Sequence, residues 1–147
     1  MYAGMRQQEI ADRLEIGDVL ARYAYSIDTG DWQRLDLVFT PDAVIDYTAA
    51  GGIRGTREEA RAWLAEVLSH WPGRQHLIGA TSVRFEGNEA AVTASFTDTL
   101  APSREMVAAD AAGLIRGGGW YHHRMIRTVY GWRSRELVEE QAWRTAQ

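Results

Sequence analysis

Three polar residues interrupt apolar stretches of this sequence, and their types suit proton transfer. Asp28 ends a stretch with helical spacing, His76 lies in a strand-like run, and Asp98 breaks the apolar face of an alternating segment. An imidazole titrates near neutral pH, and a neighbouring carboxylate holds it in one tautomer. If Asp28 and His76 meet in the fold, they form a base that can take a proton from carbon.

Each of the three also has an ordinary structural interpretation. Asp28 could form the turn that follows it, but a carboxylate at a helix C-terminus opposes the helix dipole by about 0.3–1 kcal/mol. Because Asp31 is available for the neighbouring cap, a functional role for Asp28 is favoured. His76 shares its face with apolar residues and could be a hydrogen-bonded core histidine. Asp98 could lie in solvent beyond its strand, since a buried carboxylate needs a partner or a proton.

A strand in the last third of the chain has a polar face whose direction the alternation leaves open. Trp120, His122 and Arg124 share one face, and Tyr121, His123 and Met125 share the other. An aromatic ring, an imidazole and a guanidinium suit the wall of a pocket, but they also suit an exposed strand. Tyr23 and Tyr47 are further candidates, although most tyrosines are core residues with a polar handle.

Composition excludes several kinds of chemistry. The 147 residues contain no cysteine, which removes disulfides, thiol nucleophiles and thiolate metal sites. All 16 basic residues are arginine, which excludes lysine Schiff bases and a Walker-type phosphate loop. The net charge of −4 argues against nucleic acid as a partner. The four histidines show no metal-binding spacing, so no metal and no other cofactor is expected.

Hydropathy argues against a membrane location. No run approaches the length of apolar sequence that spans a bilayer, and the N-terminus lacks the apolar stretch of a signal peptide. The expected location is the cytoplasm.

Apolar spacing, caps and turns predict helices first and strands after them. The predicted helices run from Gln7 to Ile27, from Trp32 to Phe39, and from a Thr56–Glu59 capping box to about Leu68. The predicted strands cover Ala43–Tyr47, Gln75–Phe85, Ala90–Leu100, Trp120–Val129 and Trp132–Trp143. Pro41 should end the second helix, and Ala101–Gly119 should be a mobile loop or contain a short helix.

This order of elements is typical of an α+β domain whose helices cover one face of a bent sheet. No repeat or linker divides residues 1–147, so one domain is expected. A strongly curved, mostly antiparallel sheet with N-terminal helices packed on it makes a cone-shaped α+β barrel. The inward side chains of such a cone line a small-molecule pocket.

Several segments, taken in order, resemble the SnoaL-like family of the nuclear transport factor 2-like superfamily. They are Arg22–Trp32, Phe39–Ala43, Gln75–Gly79, Gly119–Tyr121 and Gly131–Arg133. The resemblance covers nearly the whole chain and implies the cone-shaped fold. This fold hosts dehydratases, dehydrochlorinases, isomerases, cyclases and non-catalytic subunits, so it does not by itself name a reaction.

The family's lyases give the pattern that fits best, among them scytalone dehydratase, hexachlorocyclohexane dehydrochlorinase and bile-acid 7-alpha-dehydratase. The resemblance implies that Asp28 and His76 are the catalytic dyad, with Tyr23 as a further catalytic residue. It implies that Tyr47 and Asp98 bind the substrate. It also implies that Trp120, His122 and Arg124 face into the cone as substrate-binding residues.

These observations predict a cofactor-independent lyase of the dehydratase type that acts on a cyclic or polycyclic hydroxy-carbonyl compound. An isomerase or polyketide cyclase with the same pocket is one alternative, and a non-catalytic binding or assembly protein is another. The expected partner is a small hydrophobic substrate, without nucleic acid or membrane. A homodimer or homotrimer is also expected, paired through an outer sheet face that Tyr121, His123 and Met125 could supply.

Overall fold

The elements of the chain follow the predicted order, helices before the long strands. The computed structural model describes residues 4–105 and 113–146. Within them the α-helices are α1 (Gln7–Thr29) and α2 (Arg57–Leu68), and 3₁₀ helices lie at Trp32–Leu37 and Thr48–Ala50. The strands are β1 (Phe39–Asp46), β2 (Arg54–Thr56), β3 (Gly73–Glu86), β4 (Glu89–Ala101), β5 (Ile115–Thr128) and β6 (Gly131–Ala146).

Helix α1 buries most of the stripe that its apolar spacing predicts. The buried part includes Ile16, Leu20, Tyr23 and Ile27, whereas Ile10 and Leu14 in the N-terminal half are exposed. The helix ends where Gly30 takes a φ of 73°, a left-handed conformation that glycine adopts without strain. This end places Asp28 beside the sheet. No helix within the described residues is long and apolar enough to cross a membrane.

Helix α2 begins with the predicted capping box. The Thr56 hydroxyl oxygen accepts the Glu59 N–H at 3.1 Å, and the Glu59 carboxylate accepts the Thr56 N–H at 3.3 Å. Each partner satisfies a backbone donor that the first helical turn leaves open. The cap fixes where α2 starts, and α2 then packs beside β1.

The strands form one six-stranded sheet in the order β2-β1-β6-β5-β4-β3. Strands β3 to β6 are an antiparallel meander, β1 pairs parallel with β6, and β2 pairs antiparallel with β1. The sheet is curved and does not close, and the helices pack against it. The α+β fold with a mostly antiparallel sheet is therefore confirmed.

Two segments differ from the sequence prediction because strand pairing outweighs the local signal. Strand β1 begins at Phe39 and runs through Pro41, and its pairing with β6 is interrupted between Phe39 and Val44. This interruption accommodates a residue without an N–H donor. The second predicted helix accordingly ends earlier, at Leu37.

The glycine run Gly117–Gly119 lies inside β5 rather than in a loop or helix. A Cβ at Gly119 would overlap the carbonyl oxygen of Glu140 on β6. Glycine here lets the two strands approach closely at the register shift between Gly118 and Gly119. The rest of the predicted loop includes residues 106–112, which lie outside the described residues.

Packing decides which face of β5 points inward, and it reverses the expectation. Tyr121, His123 and Met125 are buried, whereas Trp120, His122 and Arg124 lie on the outer face. Tyr121 stacks on Phe96 with ring centroids 4.0 Å apart and meets Tyr23 edge-on at 5.2 Å. Burying these aromatic rings stabilises the fold more than burying the face that carries His122 and Arg124 would. The expected outer interface through Tyr121, His123 and Met125 is wrong, and the homo-oligomer stays a prediction.

A buried carboxylate ties the β5–β6 hairpin to α1. Asp12 accepts two hydrogen bonds from the Arg127 guanidinium, at 2.7 and 2.8 Å, and one from the Trp132 indole N–H at 3.1 Å. The Arg127 guanidinium also lies 4.7 Å from the centroid of the Trp132 ring. The hydrogen bonds from Arg127 hold the pKa of Asp12 well below its ordinary value, because they favour the charged form.

We expect Asp12→Asn to lower the free energy of unfolding at pH 7 by about 1.5–3 kcal/mol, the usual contribution of a charged hydrogen bond. Because the folded pKa is depressed, this contribution is complete above the ordinary pKa of 3.8 and decreases as the pH falls below it. Urea denaturation of both proteins between pH 7 and pH 3 measures the difference.

The matched control is Glu9→Gln, on the same helix, which removes a half-buried i,i+4 pair with Arg13 and should change stability by about 0.5 kcal/mol or less. A difference between wild type and Asp12→Asn that stays constant down to pH 3 would contradict the charged role of Asp12.

Candidate functional site

The end of α1 and the start of β3 bring Asp28 and His76 together. Oδ1 of Asp28 lies 2.7 Å from Nδ1 of His76, and Oδ2 accepts the backbone N–H of His76 at 2.8 Å. The carboxylate therefore holds both the ring and the backbone of the same residue. The His76 side chain is 8% exposed and the Asp28 side chain 15%, so the pair is largely shielded from water.

This contact assigns the proton on the His76 ring. An ionised carboxylate only accepts hydrogen bonds, so Nδ1 of His76 carries the hydrogen that points at Asp28. In the neutral form of the ring Nε2 then carries the lone pair, and the ring cannot rotate without breaking the contact with Asp28. This is the form of histidine that acts as a base.

Asp98 lies on the other side of the same ring. In the antiparallel pairing of β3 and β4, Asp98 is directly opposite His76. Its Oδ2 is 3.9 Å from Nε2 of His76, too far for a hydrogen bond but within ion-pair range. Asp98 is thus part of the site and does not lie in solvent beyond the strand. A positive charge on the imidazole would have a carboxylate near each nitrogen.

Arg74 holds the surrounding elements in place. Its guanidinium donates to the carbonyl of Ile27 at 2.7 Å, and to those of Leu68 and Trp71 at 3.1 and 3.0 Å. It therefore satisfies open carbonyls at the ends of both α1 and α2. Because Ile27 precedes Asp28 and Arg74 lies two residues before His76, this arginine fixes the distance between the two backbone segments that carry Asp28 and His76.

His76 of this pair lines a cavity of about 100 Å³ between the helices and the sheet. Aromatic rings form much of its wall, including Tyr23, Tyr47, Trp63, Phe96 and Tyr121. The hydroxyl groups of Tyr23 and Tyr47 are hydrogen-bonded to each other at 2.7 Å. Burial raises the pKa of both tyrosines, so they are neutral hydroxyl groups at any physiological pH.

Glu139 on β6 is a cavity residue that the sequence analysis missed. It lies opposite Tyr121 in the pairing of β5 and β6, and its side chain lines the cavity with His76 and Asp98. Burial, with a smaller effect from the charge of Asp98, raises its pKa to about 7. The available signal was the spacing from Leu137, which puts Glu139 and Gln141 on the inward face of that strand.

Trp120, His122 and Arg124 do not line this cavity. His122 is on the outer face, where Nε2 lies 2.7 Å from the Glu140 carboxylate and Nδ1 lies 3.0 Å from the Thr93 hydroxyl. The expected inward direction of this face is therefore corrected. Its neighbour His123 is buried, and its Nδ1 lies 2.8 Å from the Ser134 hydroxyl oxygen. Burial lowers the pKa of His123 to about 3, so the ring is neutral at pH 7.

The arrangement is suited to acid–base chemistry. The described residues contain no group of three or more His, Asp or Glu side chains placed to hold a metal ion. The polar groups in the cavity are the His76 imidazole, carboxyl groups and tyrosine hydroxyls, together with the Gln141 amide and the Arg144 guanidinium, among apolar walls. Such a site can take a proton from one atom of a small molecule and return it to another.

The curved sheet, the covering helices and the enclosed polar groups define an α+β domain of the nuclear transport factor 2-like fold. The chain belongs to the family described as the SnoaL-like domain, which matches residues 8–138. An uncharacterized protein of Mycobacterium tuberculosis, Rv2910c, is 39% identical over 131 residues, covering 89% of this chain and 86% of that protein.

Two of the solved structures with the same fold are named as enzymes. One, provisionally named scytalone dehydratase, from Novosphingobium aromaticivorans, has a TM-score of 0.81 and 16% identity over 97% of this chain and 92% of that one. The other is a hexachlorocyclohexane dehydrochlorinase from Novosphingobium barchaimii, with a TM-score of 0.77 and 16% identity over 94% of this chain and 91% of that one. At this identity the likeness concerns the fold alone.

The electrostatics of Glu139 predict a pH-dependent effect on stability. A carboxyl whose pKa rises from 4.5 to about 7 on folding destabilises the protein increasingly as the pH rises between those values. We expect Glu139→Gln to raise the urea midpoint at pH 8 and to leave it nearly unchanged at pH 4, where both side chains are neutral.

Glu140→Gln is the matched control, because Glu140 is exposed on the outer face of the same strand. The urea midpoint of Glu140→Gln, relative to wild type, should not be higher at pH 8 than at pH 4. If Glu139→Gln is equally stable or less stable than wild type at pH 8, Glu139 is not held in an unfavourable charged state.

Proposed function

We propose that this protein is a cofactor-independent lyase of the dehydratase type, acting on a cyclic or polycyclic hydroxy-carbonyl compound. The observation that carries the proposal is the His76–Asp28 pair, in which Asp28 holds the imidazole and His76 lines an aromatic cavity. Substrates of this class have an acidic C–H next to a carbonyl and a hydroxyl group one carbon further. Removing the proton and the hydroxyl group requires one base and a hydrogen-bond donor that stabilises the negative charge as it develops on the carbonyl oxygen.

His76 acts as the base in this mechanism. Its Nε2 takes the proton from the carbon next to the carbonyl, and the imidazole becomes positively charged. Asp28 stabilises that charge through Nδ1, and Asp98 stabilises it from 3.9 Å on the other side. Because the groups are shielded from water, these interactions are stronger than the same contacts on a surface.

The tyrosines receive the substrate oxygen. Proton removal from carbon places negative charge on the carbonyl oxygen, which needs a hydrogen-bond donor. In the Tyr23–Tyr47 pair one hydroxyl donates to the other, so the second has a hydrogen free for the substrate. Preorganised donors of this kind typically change a rate by about 10²–10³-fold. Tyr23 and Tyr47 are therefore proposed as the oxyanion site.

The comparisons support an enzyme of this general type without naming its substrate. The fold is shared with proteins named for dehydratase and dehydrochlorinase activity, both of which are eliminations. An isomerase would use the same proton abstraction but return the proton to a different carbon. Mass spectrometry separates the two, because dehydration removes one water and isomerisation leaves the mass unchanged.

We expect Asp28→Asn to reduce turnover by about 10²-fold or more and to leave substrate binding largely intact. The amide keeps the shape of the side chain but stabilises neither the imidazolium nor the required tautomer. His76→Gln should abolish the reaction. The assay screens cyclic β-hydroxy ketones for the ultraviolet absorbance of the conjugated enone, and calorimetry measures binding.

His70→Gln is the matched histidine control, because His70 is exposed at the end of α2 and should leave turnover unchanged. If the wild-type protein binds these ketones but converts none of them, and Asp28→Asn binds equally well, the protein is a binding protein and the lyase proposal is wrong.

A further inference from the structure

We propose that Glu139 is the general acid that protonates the departing hydroxyl group of the substrate. This inference rests on the proposed dehydratase function and adds the residue that completes it. Hydroxide leaves carbon slowly from a carbonyl compound unless it receives a proton as the bond breaks. The mechanism above supplies a base and an oxyanion site, but it does not yet supply that proton.

Position is the first reason for choosing Glu139. It projects from β6 into the cavity that His76 and both site tyrosines line, and it lies opposite Tyr121 across the β5–β6 pairing. It therefore approaches the substrate from a different strand than the base does. An acid and a base on separate walls can act on two neighbouring carbons of one ring.

The absence of a fixed partner is the second reason. The Glu139 carboxyl forms no hydrogen bond or ion pair with any residue in 4–105 or 113–146, although it is partly buried. A carboxyl committed to an arginine would be held in its charged form and could not donate a proton. Asp98 is less suited, because it lies at the base's own nitrogen and stabilises the imidazolium.

The surrounding charges favour the neutral acid. The charged or titratable groups that act on Glu139 are Asp98 on β4, His76 on β3 and Arg144 on β6. The Glu139 charge in turn raises the pKa of three neighbouring tyrosines, Tyr23 on α1, Tyr47 after β1 and Tyr121 on β5. Burial and Asp98 favour protonation, and His76 and Arg144 oppose it less strongly. The resulting pKa of about 7 leaves a large fraction of Glu139 protonated at neutral pH.

The proton and electron changes balance without any added reactant. His76 takes the proton from the carbon next to the carbonyl, and the C–H electrons form the enolate. The enolate then forms the carbon–carbon double bond as the C–O bond breaks, and the oxygen leaves as water with the proton from Glu139. Transfer of a proton from the imidazolium to the Glu139 carboxylate restores both residues.

The test compares two leaving groups on one ring. The probes are 3-hydroxycyclohexanone, or the best cyclic β-hydroxy ketone from the screen, and its 4-nitrophenoxy analogue. 4-Nitrophenolate leaves without being protonated, so only the hydroxy probe needs a general acid. We expect Glu139→Gln to slow the hydroxy probe by about 10²–10⁴-fold and to change the nitrophenoxy rate by less than about threefold.

The pH profile gives a second readout that a structural role would not change. With the hydroxy probe, kcat/KM of the wild type should decrease above about pH 7 as Glu139 loses its proton. The nitrophenoxy probe should show no such decrease, and Glu139→Gln should remove it for the hydroxy probe. Glu140→Gln, one residue further on the outer face, should behave as wild type with both probes.

The outcomes separate this inference from the function on which it rests. If Glu139→Gln slows both probes equally, or neither, the general-acid role is wrong while the lyase function stands. If wild type eliminates neither leaving group from any ketone of the screen, the lyase function is wrong and the role of Glu139 with it. Urea denaturation of Glu139→Gln at the assay pH shows that any loss comes from a folded protein.

Discussion

The contact between Asp28 and His76 joins the last turn of α1 to the start of β3, and the geometry of the cavity depends on it. Both carboxylate oxygens are used, one on the ring and one on the backbone N–H of the same residue. Gly30 ends the helix, and Arg74 on β3 holds that end by its hydrogen bond to Ile27. These two residues therefore also determine where Asp28 meets His76. A shift of the helix end by one residue would turn the carboxylate away from the strand, since successive helical residues point about 100° apart.

Two carboxylates in this protein show how the surroundings decide what an acid does. Asp12 is held by Arg127 and Trp132, so its charged form is favoured and it connects helix to hairpin. Glu139 has no such partner among the described residues and lies partly buried in the cavity, so its neutral form is favoured. The first arrangement stabilises the fold. The second destabilises it increasingly as the pH rises from 4.5 to about 7. Strongly shifted pKa values of this kind cluster at functional sites.

The imidazole–carboxylate pair is not by itself a sign of catalysis. His122 and Glu140 form one at 2.7 Å, the same separation as His76 and Asp28, but on the outer face of the sheet. The His122 side chain is 42% exposed, against 8% for His76. Water competes for every hydrogen bond and screens every charge at the outer pair. Of the two pairs, the inner one includes a residue that lines the aromatic cavity, whereas the outer one lies on the exposed face of the sheet.

The sequence by itself determined most of the elements and several residues of the candidate site. Helical spacing, the Thr56–Glu59 capping box and strand alternation are local signals, and they identified α1, α2 and β4 closely, while Asp28, His76 and Asp98 stood out against apolar neighbours. Tertiary structure decided what depends on partners distant in the chain: the direction of the β5 faces, the pairing of the glycine run and the place of Glu139. Alternation shows that two faces differ, but only the rings of Tyr23 and Phe96 decide that Tyr121 turns inward and His122 outward.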